Sequence, residues 1–433
     1  MQIRALENIE DSLLKASGEC LDADVFPDAI ISPTGNVRIT STLPNFETLV
    51  NSYGIKIRYN VISKEIEATL PWSTQIDLNY VSAEITSQCN MNGFPKGDVP
   101  NYIYAVAMKN EYNPIVRWIN SKPWDGKDHF QSILDCIGVA PGYEEAKEFY
   151  LKRWCYSAVG MLNNDGNKGY EGVLVFQGEQ GLGKTRWIKN LIGNMAQYFK
   201  DGLIIDPHSK DSVATAVSHW LVEIGELDAT FKKSDIAALK AFFTSTKDRF
   251  RRPFDRYDST YPRMTVFFAS VNDQQFLKDS TGDRRYWCLP TKSLSTPKDY
   301  DAQQFWAQIN VMMQKEECKE NTQKWYLTAD EVAIRDALNG DFRESNPIEE
   351  AITRKFPLTG DLYLLTSTDV AGILDIQPSQ FNTSKIGKVL KDIYGDPKRT
   401  SRARFFKMPL PKDHDVFDYK KNLYERYTGD LLS

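Results

Sequence analysis

Histidine and cysteine are scarce in this chain, four and six residues among 433. Cys20, Cys89, Cys136, Cys155, Cys288 and Cys318 lie far apart, and no Cys-x-x-Cys pair occurs. That spacing argues against a structural zinc site and reads most simply as the reduced thiols of a cytosolic protein. No apolar stretch approaches the roughly 20 residues of a membrane span. The start, Met1-Gln2-Ile3-Arg4-Ala5-Leu6-Glu7, carries acid too early for a signal peptide. A strong charge excess is missing too. The formal net charge is −5, so any nucleic-acid contact must come from local basic patches. Internal repeats and low-complexity tracts are absent. A cytoplasmic protein without membrane contact is expected.

What remains is the length and composition of a globular chain of roughly three domains at about 150 residues each. Residues 1–142 read as an α+β region with a helical collar toward its end. They hold a short hairpin at 31–37, a helix at 45–53, an alternating strand at 55–61 and a helix at 99–110. Residues 143–326 alternate short apolar runs with helical stretches. The runs 173–177, 220–224 and 264–270 are continuous, β-branched and aromatic. Strands covered on both faces of a parallel α/β sheet have this pattern. Residues 327–433 read as a smaller, mostly helical segment.

The first of those runs ends in Gly178-Glu179-Gln180-Gly181-Leu182-Gly183-Lys184-Thr185, and a helical stretch begins at Arg186. Strand, Gly-x-x-x-x-Gly-Lys-Thr, helix is the context of a phosphate loop. Glycines let the backbone turn its amides toward phosphate oxygens, and the helix start adds positive potential. Lys184 supplies a point charge for the β- and γ-phosphates, and Thr185 a hydroxyl ligand to Mg²⁺. ATP and Mg²⁺ are therefore the expected ligands, with residues 178–186 as their contact.

An ATPase also needs an acid at the end of a nearby strand. Trp220-Leu221-Val222-Glu223-Ile224-Gly225-Glu226 offers two. Glu226, just past the strand end, is expected to ligate Mg²⁺ and orient the attacking water, with Glu223 as its neighbour. Either residue is otherwise a solvated surface acid. Asn272, after the third run, suits a contact to the γ-phosphate or the water, or else caps a turn. Arg284 and Arg285, within Thr281-Gly282-Asp283-Arg284-Arg285-Tyr286-Trp287, suit arginine fingers acting on a neighbour's phosphate, or form a solvated pair.

In the tail, 366–374 reads as a capped short helix and Gln377-Pro378-Ser379 as a turn. A second helix sets Ile386, Val389, Leu390 and Ile393 against Lys385, Lys388 and Lys391 on mostly the other face. A basic hairpin with Arg399, Arg402 and Arg404 follows. Two helices and a basic wing describe a winged-helix-like unit whose second helix enters a major groove. A helical packing domain with solvated lysines is the alternative.

Taken together, these residues resemble the virulence-associated protein E family of phages and mobile genetic islands. That family is similar to superfamily 3 helicases and poxvirus-type primase-helicases within the AAA+ ATPases. The resemblance rests on Asn113-Pro114 with Trp124-Asp125-Gly126, the loop 178–185, and residues 220–226. It continues through Lys240-Ala241-Phe242-Phe243, Asp248-Arg249-Phe250-Arg251-Arg252-Pro253-Phe254, Pro262-Arg263, Asn272 and residues 281–287. It covers roughly residues 45–290. The implied fold is α/β, a P-loop AAA+-like ATPase core with a parallel sheet. The implied activity is that of a ring, a homo-hexamer, that moves along or melts DNA during replication of a mobile element. No primase region with clustered carboxylates precedes residue 143, so a separate primase or host replication proteins are implied partners.

The resemblance also places a pore-lining hairpin between the acidic strand and the Asn272 strand. Here that interval holds Lys240, Lys247, Arg249, Arg251, Arg252, Arg256 and Arg263, with Phe250, Phe254 and Tyr257 among them. Cations for phosphates and rings for bases are the usual equipment for single strands. Internal salt bridges with Asp248, Asp255 and Asp258 are the alternative. Competing functions are a remodelling or loading ATPase without unwinding, an origin-binding initiator, and a small-molecule kinase.

Overall fold

Among the described residues the buried apolar side chains gather into three clusters, each drawn mainly from one stretch of sequence, with Ile62 crossing from the first stretch into the second cluster. The structure, a computed structural model, describes residues 19–169, 171–225, 236–250, 258–277, 283–316, 323–343, 347–399 and 403–411. The chain divides into two compact units, Met1–Phe342 and Arg343–Ser433.

The first cluster belongs to an α+β module. β1 (Ala29–Ile31) and β2 (Val37–Ile39) form an antiparallel ribbon, the hairpin expected from sequence. α1 (Leu43–Ser52) starts at Thr42, whose hydroxyl accepts from the Asn45 amide. β3 (Lys56–Asn60) pairs antiparallel with β4 (Glu65–Thr69). α2 (Leu78–Met91) and α3 (Val99–Lys109) pack with them, and β5 (Glu111–Tyr112) joins β3 in parallel. Two polar contacts tie this module to the large sheet described next. Asn60 donates to the Tyr198 hydroxyl at 2.9 Å, and the buried Lys64 ammonium donates to the Val217 carbonyl.

The second cluster surrounds a six-stranded sheet. Its elements in chain order begin with α4 (Pro114–Ile119), α5 (His129–Asp135), β6 (Ile137–Val139), α6 (Glu144–Gly160) and β7 (Val173–Gln177). They continue with α7 (Lys184–Leu191), β8 (Phe199–Leu203), α8 (Lys210–Val217), β9 (Leu221–Ile224) and α9 (Ile236–Phe243). β10 (Lys247–Phe250), β11 (Ser259–Pro262), β12 (Val266–Val271), β13 (Tyr286–Leu294), α10 (Ala302–Lys315) and α11 (Ala329–Leu338) complete it. The strand order is β6-β13-β7-β12-β9-β8. All neighbours are parallel except β6, which runs antiparallel along the far half of β13. A parallel sheet covered on both faces favours apolar residues at nearly every position, which accounts for the apolar runs of β7, β9 and β12, interrupted only by Glu223 in β9, Ser270 in β12 and the terminal Gln177 of β7. Three of the buried indoles in this core find carbonyl partners, Trp154 donating to Phe267, Trp220 to Ala158 and Trp306 to Leu191, while the Trp287 indole N–H has none.

The core of the large sheet begins earlier than the expected 142/143 boundary. Ile115, Ile119, Phe130, Ile133 and Leu134, on α4 and α5, share it. It also ends later than 326/327, because α11 is held inside the first unit. The buried Arg153 of α6 grips Glu316 and, on α11, Glu331, at 2.7 and 3.0 Å.

The second unit runs α12 (Pro347–Lys355), β14 (Leu362–Leu365), α13 (Ser367–Ile373), α14 (Gln380–Tyr394), β15 (Lys398–Arg399) and β16 (Arg404–Pro409). β16 lies between β14 and β15, antiparallel to both. The two expected helices and the basic hairpin are present. β14 adds a strand where a mostly helical tail was expected, and its four residues are too short and too exposed to show a clear alternation.

Beside the large sheet, β10 and β11 form a separate antiparallel ribbon. Arg263, at its exit, is completely buried and makes a two-pronged ion pair with the buried Asp248, while its guanidinium lies 4.3 Å from the Phe242 ring. Removing one member of such a pair strands a charge in the core, which costs about 3–5 kcal/mol. Asp248→Asn is therefore expected to lower the urea midpoint strongly, and the double change Asp248→Asn/Arg263→Met to recover much of the loss. An Asp248→Asn protein that unfolds at the wild-type urea concentration would contradict this account.

Candidate phosphate-binding site

At the carboxyl end of β7 the chain turns back at Gly178, whose amide donates to the Val271 carbonyl at 3.0 Å. The turn must be tight because β13 runs alongside. A Cβ on Gly178 would stand 2.4 Å from the Thr291 carbonyl oxygen and 2.9 Å from Leu182 Cδ1. Gly181 and Gly183 take φ of 91° and 76°, a region that side chains disfavour. Gly183 is the N-cap of α7 and no side chain caps the helix. The first-turn amides of α7 are thus left for an anion, with the positive end of the helix behind them.

Lys184 opens α7 and is only 7% exposed. Its ammonium donates to the carbonyls of Gly178, Glu179 and Val271 at 2.6, 3.1 and 3.3 Å, and to Asn272 Oδ1 at 3.0 Å. Burial lowers its pKa, and Glu223 partly offsets this. Thr185 donates its hydroxyl to Glu223 Oε1 at 2.7 Å. The Ser270 hydroxyl reaches the same oxygen at 2.6 Å, and the Gly202 amide lies 3.4 Å from Oε2. Glu223 sits on β9 and is 3% exposed. Asn272 follows β12, which lies between β7 and β9. Three parallel strands therefore deliver the loop, the amide and the acid to one edge, outside the carboxyl ends where ligands of open α/β sheets bind.

The acid so placed is Glu223, whereas the sequence pointed first to Glu226, which lies outside the described residues. Among the remaining loop residues, Glu179, Gln180 and Arg186 are exposed, and Leu182 is half-buried. Ser270 was missed by sequence reasoning. Its only signal is a hydroxyl two residues before Asn272 in an otherwise apolar strand. The donor set beside Thr185 is oxygen only, which suits a hard cation such as Mg²⁺ that keeps waters and takes one or two carboxylates. Groups of three or more His, Cys, Asp or Glu with metal-ligand geometry do not occur among the described residues.

Arg284 and Arg285 are not brought to this loop. They form a 3₁₀ turn directly before β13, whose first residue Tyr286 pairs with Val173 at the start of β7. The phosphate loop follows the other end of β7, so the arginines occupy the opposite edge of the sheet. Arg284 is exposed. Arg285 is half-buried and its Nε has no hydrogen-bond partner, while burial and the adjacent Arg284 lower its pKa.

On the β10–β11 ribbon, exposed Lys247 and Arg249 alternate with buried Asp248 and Phe250. Arg249 Nε lies 3.9 Å from Asp258. Arg251, Arg252 and Arg256, with Phe254 and Tyr257, lie outside the described residues. Two residues of the expected DNA-contacting set are internal. Arg263 is consumed by its ion pair with Asp248, and Phe250 stacks on Tyr261 with ring centroids 4.8 Å apart. In the second unit, exposed Lys385 and Lys388 lie on α14, with Lys385 4.3 Å above the Phe381 ring. Arg399 and Arg404 face each other across β15 and β16, and Arg402 is outside the described residues.

The model of the virulence-associated protein E-like domain matches residues 119–344. The chain belongs to this family. The match spans the sheet, the glycine loop, Glu223, Asn272 and the arginine turn. No curated protein matches the chain. Among solved structures, the apo structure of the NrS-1 C-terminal region (305–718) is 11% identical, with 84% of this chain and 98% of that one covered and a TM-score of 0.47. The A form of the same region gives a TM-score of 0.46 at the same identity and coverage. No helix among the described residues of this virulence-associated protein E-like chain is long and apolar enough to cross a membrane.

Gly178→Ala tests the tightness of the loop. The added methyl meets backbone rather than a flexible side chain, so β13 or the loop must move, at a cost of about 1–3 kcal/mol. A lowered thermal midpoint is expected. A midpoint equal to that of the wild type would show that the close approach to Thr291 is not maintained in solution.

Proposed function

We propose that this virulence-associated protein E-like chain is an ATP-dependent DNA helicase or translocase serving replication of a phage or mobile genetic element. In this reading it is a P-loop ATPase of the AAA+ and superfamily 3 type that assembles into a homo-hexameric ring. The observation that carries the reading is the meeting of Thr185 and Glu223 at 2.7 Å, beside a buried lysine in a glycine loop at the carboxyl edge of a parallel sheet.

In this mechanism the loop amides and the start of α7 receive the β-phosphate of ATP. Lys184 exchanges its carbonyl partners for phosphate oxygens. Thr185 and Glu223 are the residues that would hold Mg²⁺, which supplies charge neutralisation between the phosphates. Asn272 keeps an amide N–H to offer the γ-phosphate or the water, while its oxygen orients Lys184. Glu226 is assigned to orient the attacking water. Arg284 and Arg285 serve the next subunit, because in their own chain they stand at the far edge of the sheet. An arginine supplied in trans is worth on the order of 10³–10⁵ in rate.

Lys247 and Arg249, with Arg251, Arg252 and Arg256, are assigned to the backbone of a single strand in the ring. The second unit, with its order α12, β14, α13, α14, β15 and β16, is proposed as a winged helix. There Lys385 and Lys388 of α14 and Arg399, Arg402 and Arg404 of the wing meet duplex DNA. A separate primase or host replication proteins would be its partners.

The decisive experiment measures ATP hydrolysis with and without single-stranded DNA, beside the mass of the assembly. DNA-stimulated hydrolysis by an oligomer is expected, abolished in Lys184→Ala. DNA-independent hydrolysis by a monomer would overturn the reading. Stimulation without strand separation would move it to a remodelling ATPase or origin-binding initiator. For the ribbon, Lys247→Ala/Arg249→Ala should weaken single-strand binding and flatten the plot of log affinity against log salt by about 0.7 per lost phosphate contact. An unaltered slope would remove the ribbon from the DNA path.

A further inference from the structure

We propose that Asn339 and Arg335 form a clamp that sets how Arg284 and Arg285 are presented to the phosphate loop of the neighbouring subunit. The proposal rests on the trans-acting role given to those arginines above. Asp283–Arg285 make a single 3₁₀ turn. Asn339 Nδ2 donates to the carbonyls of Asp283 and Tyr286 at 2.9 and 3.0 Å, the two residues that flank the arginine pair. Arg335 Nη1 donates to the Arg284 carbonyl at 2.9 Å. Two side chains, from α11 and the turn that follows it, thus hold the backbone of the arginine turn on both sides.

The same turn, Asn339–Phe342, grips the chain upstream as well. The Phe342 carbonyl accepts from the amides of Phe276 and Leu277 at 3.0 and 2.9 Å, and its ring packs against Phe276 and Tyr143. One short element therefore fixes the segment just after Asn272 and the turn just before β13. α11 is itself anchored to α6 through the ion pair of Glu331 with Arg153, and Arg335 pairs with its chain neighbour Asp336 at 2.7 Å.

The contrast between backbone and side chain gives the clamp its meaning. The carbonyls of the turn are tied down. The Arg284 guanidinium is exposed and Arg285 Nε is without a partner. Such a turn offers Arg284 outward from a rigid mount, with the half-buried Arg285 beside it. A trans-acting cation needs that mount, since a displacement of about 1 Å at a reacting centre can cost roughly 10²-fold in rate. Asn339 is completely buried and its Oδ1 has no partner, so its contribution lies in the two N–H bonds. Asn339→Asp keeps the shape and removes those donors.

The test uses the full chain as its natural assembly and compares Asn339→Ala and Asn339→Asp with Arg285→Ala. Each is measured alone and mixed with Lys184→Ala subunits, which lack a working loop but carry intact arginines. The expected result is a 10- to 100-fold loss of ATP turnover, of the order a 1 Å misplacement gives, with the Kd for a fluorescent ATP analogue unchanged. Mixing with Lys184→Ala should restore turnover, as it should for Arg285→Ala. Local disruption of the variant's own site would not be repaired in this way. Wild-type turnover in both Asn339 variants overturns the clamp, as does a loss that mixing does not repair while Arg285→Ala is repaired. Should Asn339→Ala fail to assemble, the isosteric Asn339→Asp carries the test. If Arg285→Ala and Arg284→Ala both turn over normally, the trans-arginine reading fails, and the clamp has nothing to position.

Discussion

A carboxylate buried in the middle of an apolar strand governs the geometry of this molecule's candidate site. Glu223 lies in β9, where every other residue is aliphatic, and a lone ionised carboxylate there would carry a desolvation cost of several kcal/mol. Two hydroxyls, from Thr185 and Ser270, converge on one of its oxygens and offset that cost. The constraint propagates outward. Thr185 meets Glu223 only if the first turn of α7 faces β9 across β12, and that rotation of α7 fixes where the glycine loop closes. Lys184, the neighbouring residue in the same turn, is then forced into the cleft between β7 and β12, where the carbonyls of Gly178 and Val271 and the oxygen of Asn272 await it.

Most of this was legible in the sequence because parallel sheets leave strong traces. A strand buried on both faces is apolar at most positions, so β7, β9 and β12 stood out without knowledge of their partners. The loop was legible for a related reason: its glycines answer local demands, two positive φ values that side chains disfavour and one close approach to Thr291 that leaves no room for a Cβ. The choice of acid was less legible. Both faces of β9 are buried, and the glutamate inside the run draws its partners from α7 and from β12. Glu226, past the strand end, looked the better placed for solvent chemistry, whereas the contact to Thr185 belongs to Glu223. Charge was legible as a cluster, though its division was hidden. Among the cations of the ribbon region, Arg263 is buried by its pair with Asp248 and Lys247 is exposed, and only the register of β10 against β11 separates them. The core boundaries were obscured for a similar reason: α4, α5 and α11 turn their apolar faces to the same sheet although the sequence between them changes character.

Parallel strands also impose a division on the site itself. Everything at the carboxyl edge of β7, β9 and β12 gathers around the loop, and everything at the opposite edge is a strand length away. Arg284 and Arg285 enter at that opposite edge because β13 runs parallel to β7. No side-chain rearrangement within one chain moves them to Lys184, since the distance is set by the strand and not by rotamers. A phosphate charge held in the loop would therefore meet Lys184 and the α7 terminus of its own chain and neither of that chain's two arginines, and only in the ring proposed above would a second copy supply them.

The state of Lys184 gives that division a physical consequence. Its ammonium is saturated by protein acceptors and disfavoured by burial, so the lysine has partners of its own, unlike the first-turn amides of α7. An incoming phosphate would compete with three carbonyls and the Asn272 oxygen by offering full negative charge where they offer dipoles. Once Lys184 turns toward phosphate, Asn272 loses the partner of its oxygen and the Gly178 carbonyl loses a donor. In the proposed mechanism binding would thereby be felt at the end of β12, and the chain that leaves β12 leads to Phe276 and Leu277, which are bonded to the same turn that holds the arginines. Those hydrogen bonds would link the loop to the arginine turn within one chain.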